Sequence, residues 1–424
     1  MLKAMLAPLK RRDFSLLLSG QSISWIGNNF YEIAIMWLVL RLTGSTAAMA
    51  GVAAVSAVPQ LIFAPLAGVV ADRVNRRLLA LAMDCGRGLT ILVLPLLSLL
   101  HHLAVWQIYL VAFVLWTLFT FFIPARQSMI PNLVPDEELP AANAAFQAMM
   151  FACLLLGYAF GGLVVAAYGV VPALFFDSVT FVGSVSSLLL IRSSGRSVPR
   201  SSESHSALKE TILGLQFIWH RANLLTVFVF SGVVGLLVGP LLILAAPFSR
   251  SVLHAGARGY GLLEGSLMLG GVVGALAASL TRRIQRVGWL LIAVCLVAGV
   301  LLTGMSFSTV LPVALPFYLG VGLASGVVNV PLATLIQRLT PDEMRGRVMS
   351  SMMMINTAGI PISVAIGGAV AQRIGVATMY AVEGALFLIT GLVSMVTPLV
   401  RLRSGGEAGP EEATKATIPA SEVA

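Results

Sequence analysis

Residues 68–77 read GVVADRVNRR, a short charged stretch between two long apolar runs. The first run covers about residues 46–70 and the second about 78–100. Each is long enough to cross a bilayer as a helix, which takes about 20 apolar residues. An Asp and several arginines would be costly inside hydrocarbon. The stretch is therefore predicted to be a water-exposed turn that joins two membrane-spanning helices.

The same alternation of apolar runs and polar breaks continues along the whole chain. Of 424 residues, 58% are hydrophobic and 11% are charged, whereas about 25% are charged in an ordinary soluble domain. A soluble protein of this size is therefore disfavoured. Apolar segments lie near residues 14–40, 46–70, 78–100, 105–123, 141–167, 172–191, 222–248, 258–280, 288–306, 310–334, 348–372 and 376–399. The predicted fold class is an all-α polytopic membrane protein with twelve transmembrane helices.

Positive charge is distributed unequally between the two sets of loops. The chain has 27 Lys and Arg against 18 Asp and Glu, which gives a net charge of +9. One set of loops holds only Arg41, Arg250, Arg258 and Arg373, and nearly all other basic residues fall in the opposite set. Because cytoplasmic loops are enriched in Lys and Arg, both termini are predicted to be cytoplasmic, in a multi-pass protein of the plasma or inner membrane. The excess charge thus indicates topology, and no nucleic-acid partner is expected.

The two halves of the chain repeat each other at a constant offset of 206 residues. The segment LVPDE at 133–137 recurs as LTPDE at 339–343, and Asp177 recurs as Glu383. Such a repeat predicts two parallel halves of six helices each. The predicted division into first half, linker, second half and tail is 1–191, 192–221, 222–400 and 401–424.

The linker and the tail differ in composition. The linker begins Ser- and Arg-rich and then spaces Leu208, Ile212, Leu215 and Trp219 at helical intervals. This spacing predicts an amphipathic helix that lies on the inner membrane surface. A solvated linker is the alternative. The tail is rich in Gly, Glu, Thr and Pro and is predicted to be disordered.

Residues 68–77 closely resemble the loop signature of the major facilitator superfamily, which is a Gly, an Asp-Arg pair four residues on and then two basic residues. Two parallel six-helix halves are also the architecture of that superfamily. The resemblance implies that Asp72, Arg73 and Arg77 gate the cytoplasmic side, with the carboxylate near a helix amino terminus of the other half. A topology signal alone is the alternative. The reduced counterpart at 281–286 has no Asp, which implies a weaker latch.

A second set of motifs narrows the resemblance to one branch. The segments PARQSMIP at 124–131 and VPDEEL at 134–139 look like the branch that contains macrolide exporters and the enterobactin exporter. This resemblance spans the chain and implies export rather than uptake. Two departures weaken the inference of proton antiport. Antiporters of the superfamily usually have a proline where Tyr158 stands, and many keep a basic residue in span 4, where residues 105–123 hold no charge.

Six ionisable residues are predicted inside spans, where a charge costs about 2.5–3.5 kcal/mol and is a functional candidate by default. They are Glu32, Asp84, Arg87, Asp177, Glu264 and Glu383. One face of span 1 carries side chains at intervals of three or four residues, namely Gln21, Trp25, Asn28 and Glu32. This polar stripe is predicted to line the transport route, where Glu32 binds protons or a cationic group of the substrate. The alternative is a protonated Glu32 that hydrogen-bonds a neighbouring helix.

The other ionisable residues have less specific contexts. Glu264, near the outer end of span 8, is either a second proton carrier or an interface residue wetted from outside. Asp84 and Arg87 are spaced i, i+3 and are predicted to neutralise each other. Their position beside the signature loop adds them to the gating candidates. Asp177 and Glu383, equivalent under the repeat, are predicted to be structural.

Missing motifs disfavour several classes of protein. No Gly is followed by Lys, so neither a phosphate-binding loop nor an ATP-driven pump is indicated. The histidines show no metal-ligand spacing, and there is no GxSxG of a serine hydrolase. The chain is therefore predicted not to be an enzyme and to need no cofactor or metal.

The leading hypothesis is a secondary active transporter that works by alternating access. It would export an amphiphilic, drug- or macrolide-like small molecule in exchange for protons. Its expected partners are that substrate, protons and membrane lipid, and the protein is expected to be a monomer. The alternative is a siderophore or lysolipid transporter without strict proton coupling.

Overall fold

The computed structural model describes residues 7–192, 207–278 and 286–402. Within these ranges the chain forms thirteen α-helices and a few short 3-10 turns, and no strand. The helices are α1 (Arg12–Thr43), α2 (Thr46–Arg73), α3 (Arg76–Leu99), α4 (Val105–Met129), α5 (Leu139–Tyr168), α6 (Val170–Leu190), α7 (Ala207–Trp219), α8 (Ala222–Ser251), α9 (Gly256–Ala277), α10 (Val287–Ser306), α11 (Leu311–Leu339), α12 (Asp342–Ile374) and α13 (Val376–Ser394). The predicted all-α fold class is confirmed.

Among the helices described, eleven are long and apolar enough to cross a membrane, namely α2–α6 and α8–α13. Helix α1 is outside that set although its 32 residues extend about 48 Å at 1.5 Å per residue. That length exceeds the roughly 30 Å of bilayer hydrocarbon. Polar side chains along α1 lower its hydropathy, and they are accommodated because α1 packs on α5 and α6. The described part of the chain thus has eleven apolar helices and one more polar helix of sufficient length.

The predicted spans agree with the helices to within about six residues, and the difference that matters most is at the end of α4. This helix continues past Pro124 to Met129. Proline is tolerated inside membrane helices when neighbouring helices compensate for the lost hydrogen bond. Arg126 therefore belongs to the helix. The prediction that span 4 holds no charge is wrong.

Helices α1–α6 pack on one another and form what we call the first helix group, and α8–α13 form the second. Small residues bring the helices close together within each group. Gly20 of α1 lies against Ser184 and Ser187 of α6, and Gly274 of α9 lies against the backbone of Leu323 in α11. Close packing of this kind is a main source of helix association in lipid. We propose that the two groups are the predicted repeats.

Successive long helices run in opposite directions, so the bundle has two ends. The end that holds the linker helix α7 and the 68–77 loop is called the linker face, and the opposite end is called the far face. Three turns at the far face have only one or two residues, and they contain Gly44, Gly169 and Gly375. These glycines and Gly256, the first residue of α9, have φ between 64° and 89°, a region that favours glycine.

Helix α7 packs against the start of α12. Gly214 lies against the carbonyl oxygen of Arg347 and the hydroxyl of Ser351. Ile212 and Trp219, two residues of the predicted apolar face, are 48% and 72% exposed. Apolar surface is therefore left uncovered on the other side of α7. Its location on the inner membrane surface stays a prediction.

Candidate functional site

The polar stripe of α1 divides into two parts. Gln21 and Trp25 are buried by other helices of the first group. Gln21 Nε2 donates to the hydroxyl of Ser184 over 3.0 Å, and Trp25 packs edge-on against an aromatic ring of α5. Asn28 and Glu32 are only half-buried. Contacts with neighbouring helices thus account for the buried position of Gln21. The transport route along the stripe stays a prediction, and it fits Asn28 and Glu32 better than Gln21 and Trp25.

A buried ion pair lies at the centre of the first helix group. Arg87 Nη1 lies 3.2 Å from Asp84 Oδ1, which confirms the predicted i, i+3 pair. Arg87 Nη2 also donates to Asn28 Oδ1 over 3.1 Å, and the Ser184 hydroxyl donates to Asp84 Oδ2 over 2.6 Å. One connected polar network thus joins α1, α3 and α6. Its members are Gln21, Asn28, Asp84, Arg87 and Ser184.

Arg126 is a second buried arginine, and it lies in the part of α4 beyond the predicted span of 105–123. Its side chain is 8% exposed, and its guanidinium carbon lies 5.0 Å from the ring centroid of Trp25 and 4.8 Å from that of Phe146. Within the described part of the chain, its Nε and Nη1 have no hydrogen-bond partner. The guanidinium is therefore held by aromatic faces. One signal in the sequence favours a longer helix, because Pro124 is the one turn-forming residue between the start of α4 and Arg126.

Asp177 of α6 is fully buried beside this network. Its Oδ1 lies against the backbone of Gly27, where an added Cβ would come within 2.5 Å of that oxygen. Among the described residues, its Oδ2 has no hydrogen-bond partner. The carboxyl interacts electrostatically with both Arg87 and Glu32. Its position next to α1 adds Asp177 to the candidate site, although a structural role was predicted for it.

Glu32 and Glu264 lie on different helix groups near the boundary between them. Glu264 of α9 is 7% exposed, and Glu32 is half-buried. Tyr158 of α5, at the position where antiporters usually have proline, lies near both carboxyls, and so does Tyr260 of α9. In the ranges that the structure describes, neither carboxyl makes a hydrogen bond or an ion pair. We call these four residues the boundary cluster.

Glu383 of α13 is buried in the second helix group. Its exposed fraction is 1%, and neither carboxyl oxygen has a hydrogen-bond partner among the described residues. The hydroxyl of Tyr380 donates to that of Tyr318 over 3.3 Å. Tyr380 lies near both Glu383 and Glu264. The predicted structural role of Glu383 stays a prediction.

The signature loop is fastened to the first helix group. Arg77 donates to two carbonyl oxygens in the last turn of α6, over 2.7 and 2.6 Å, where a cation is favoured by the helix dipole. The side chain of Asp72 is 72% exposed, and its basic neighbour is Arg76, whose Nη2 lies 3.8 Å away. Arg73 is exposed as well. Gating by Asp72, Arg73 and Arg77 stays a prediction. The counterpart at 281–286 falls, except for its last residue, outside the described residues.

The two helix groups are joined at the far face. Gly162 of α5 and Gly261 of α9 pack so closely that a Cβ on either would lie 2.4–2.5 Å from the Cα of the other. On the other side of the bundle, the Gln372 amide oxygen of α12 accepts from the backbone N–H of Thr46 in α2 over 2.7 Å. These contacts close the far face between the groups.

Two ion pairs at the linker face each lie within one helix group. Arg11 lies 2.9 Å from Glu138 in the first group, and Arg345 lies 2.6 Å from Asp342 in the second. Among the described residues, the contacts between the groups given above lie near the far face. No group of three or more His, Cys, Asp or Glu able to hold a metal ion occurs among the described residues.

Relatives and solved structures of similar proteins are transporters. The chain is 26% identical to the multidrug efflux pump Tap of Mycolicibacterium fortuitum, over 92% of this chain and 97% of that protein. It is 22% identical to macrolide efflux protein A of Streptococcus pyogenes, over 90% of this chain and 94% of that protein.

Two solved structures share the fold at low sequence identity. An inward-facing bacterial homologue of the iron transporter ferroportin matches with a TM-score of 0.69 and 18% identity, over 91% of this chain and 98% of that one. An inward-facing, occupied bacterial homologue of the lysosomal transporter Spinster matches with a TM-score of 0.71 and 12% identity, over 95% and 99% of the two chains. The model of the transmembrane secretion effector family matches residues 3–421. The chain therefore belongs to that family, in the drug and macrolide efflux branch of the major facilitator superfamily, and it is a transporter rather than an enzyme.

Proposed function

We propose that the protein exports an amphiphilic small molecule by alternating access, in exchange for protons. The observation that carries the proposal is the boundary cluster. It supplies one carboxyl from each helix group, Glu32 and Glu264, at the place where the groups meet. Both are without an ion pair among the described residues, so a proton or a cationic substrate group is free to bind them.

The distribution of charge supports the proposed orientation of the protein in the membrane. The linker face carries the loops rich in Lys and Arg, which favours a cytoplasmic location for that face and for both termini. The far face, where the groups are in contact, is then the exterior of the plasma or inner membrane. In this orientation the arrangement corresponds to a transporter closed to the outside. The substrate would enter from the cytoplasm or the inner leaflet.

Coupling to protons would use the change in hydration at the boundary cluster. Contact between the groups buries Glu264 and leaves Glu32 half-buried, and an unpaired carboxylate is costly in that setting. Separation at the far face would expose both groups to exterior water and let a proton bind. Closing would carry that proton inward, where an arriving substrate displaces it.

The substrate class is proposed from the relatives, which are pumps for drugs and macrolides by their names. A siderophore or a lysolipid moved without strict proton coupling is the second candidate. Tyr158 favours it, because superfamily antiporters usually have proline at this position, which lies near both carboxyls. Thermal stabilisation of the purified protein by a macrolide, a siderophore and a lysolipid would separate the two substrate classes.

We also propose that the protein is a monomer surrounded by lipid.

The decisive experiment measures macrolide flux in proteoliposomes with and without a pH gradient. We expect the gradient to drive flux of the wild type, and Glu32→Gln to reduce that flux at least tenfold while substrate binding persists. Glu137→Gln is the matched control, because it removes a carboxylate that is exposed at the linker face. Flux that ignores both the gradient and Glu32→Gln would refute the coupling to protons.

A further inference from the structure

A cavity of about 530 Å³ opens at the far face between the two helix groups. Arg41 and Trp37 of α1 line one side, and Arg250 of α8 and Arg258 of α9 line the other. Backbone at Gly169 and at the start of α9 completes the wall. We call this cavity the arginine vestibule. It differs from the boundary cluster, which lies deeper in the bundle and is acidic.

Basic residues are scarce at the far face, and they are concentrated in this vestibule. Of the 27 Lys and Arg in the chain, the far-face loops and helix ends hold only four, and those loops contain no Asp or Glu. Three of the four arginines line the vestibule, and Arg373 is the exception. Among the described residues no carboxylate pairs with any of the three. Their mutual repulsion is therefore left without a counter-charge from the protein.

The backbone adds further positive potential to the same cavity. Helix α9 begins at Gly256 and helix α6 at Val170, directly after Gly169. Neither amino terminus has a side-chain cap or an acidic residue in its first turn. A helix amino terminus presents free N–H groups and the positive end of the dipole, both of which favour an anion.

Arg250 already shows how the vestibule joins the two groups. Its Nη1 donates to the carbonyl oxygen of Leu40, which lies in the last turn of α1, over 2.6 Å. The remaining guanidinium donors of the three arginines suit bidentate contacts with phosphate oxygens. Trp37, half-buried at the same level, is the kind of residue found at the headgroup level of membranes.

We propose that the arginine vestibule binds a phosphate-bearing anion, which bridges α1 of the first helix group to α8 and α9 of the second. The source is either a free phosphate compound or the headgroup of an anionic phospholipid, since both present the same oxygens. An anion held by both groups stabilises the closed far face, because opening would separate its ligands. This proposal concerns a site apart from the boundary cluster and does not depend on proton coupling.

The experiment follows thermal unfolding of the full chain in a neutral detergent at constant ionic strength. One titration adds pyrophosphate, and another adds short-chain phosphatidylglycerol, with phosphatidylcholine of equal chain length as the neutral lipid. We expect at least one anionic probe to raise the unfolding midpoint of the wild type. In the double variant Arg41→Gln with Arg258→Gln, the concentration for half of that rise should increase at least tenfold.

The controls separate binding from charge screening. Arg373→Gln removes the far-face arginine that does not line the vestibule, and it should respond like the wild type. A response to pyrophosphate assigns the site to a free anion, and a response confined to phosphatidylglycerol assigns it to a lipid headgroup. The proposal is overturned if neither probe raises the unfolding midpoint of the wild type. It is also overturned if Arg373→Gln weakens the response to the probe as much as the double variant does. If the double variant does not fold, the single variant Arg258→Gln replaces it in the test, and we expect it to weaken the response to the probe by a smaller factor.

Discussion

Arg87 and Arg126 are both buried in the first helix group, but only Arg87 has a carboxylate partner within the described residues. Burial of a charge costs several kcal/mol. An ion pair with good geometry offsets much of that cost, whereas a stack on aromatic rings offsets about 2 kcal/mol. Burial of Arg126 is therefore expected to lower the free energy of unfolding. A destabilising charge inside a membrane protein is expected to have a function.

The two arginines should respond in opposite directions to the same substitution. Arg126→Met removes two unpaired donors and should raise the free energy of unfolding by roughly 1–3 kcal/mol. Arg87→Met leaves Asp84 buried without its partner and should lower that free energy by about 3–5 kcal/mol. Denaturant unfolding in one detergent measures both, and flux assays should show reduced transport for both. A loss of stability in Arg126→Met equal to that in Arg87→Met would mean that Arg126 is structural.

Helix α4 illustrates which parts of the elements could be predicted from the sequence. Bilayer thickness sets the length of each span, so apolar length alone located the helices to within about six residues. The predicted span 4 stops short of the end of α4, because a charged residue such as Arg126 usually lies outside a span, whereas here the rings of Trp25 and Phe146 cover it. The hydrogen bond of Gln21 could not be predicted for a similar reason. Its partner Ser184 lies 163 residues away, and no local spacing reports such a contact.

Contact between α5 and α9 offers a test at the level of elements. Gly162→Ala would place a methyl group 2.4 Å from the Cα of Gly261, and overpacking of this kind costs about 1–3 kcal/mol. The far-face-open population should therefore rise, by roughly tenfold for 1.4 kcal/mol. The distance between spin labels at Leu99, the exposed last residue of α3, and at Phe307, the exposed residue after α10, would measure the change.

A control for that experiment is available on α12. Gly346 has no atom within 4 Å of an added Cβ, so Gly346→Ala should leave the label distances unchanged. An equal shift in Gly162→Ala and Gly346→Ala would show that the effect comes from the loss of glycine rather than from the contact.

At the scale of the whole molecule, the two helix groups are in contact at the far face, and the ion pairs described at the linker face lie within each group. This arrangement corresponds to one of the states that alternating access requires. The boundary cluster lies where the groups meet, and the arginine vestibule lies outside it at the same boundary. Opening of the far face would therefore separate both sites at once. A single rocking motion would change the hydration of the acids and disperse the arginines.

A cross-link across that boundary tests whether the motion is needed. A Cβ on Gly265 of α9 would lie 3.3 Å from the Cβ of Ala159 in α5, and a disulfide needs about 3.5–4.5 Å, so a small adjustment suffices. In a chain whose native cysteines Cys85, Cys153 and Cys295 are replaced by Ser, oxidation of Ala159→Cys with Gly265→Cys should reduce transport at least tenfold, because the far face cannot open. Reduction should restore transport, and each single cysteine variant should be insensitive to oxidant. Undiminished flux in the fully oxidised protein would refute alternating access through this boundary.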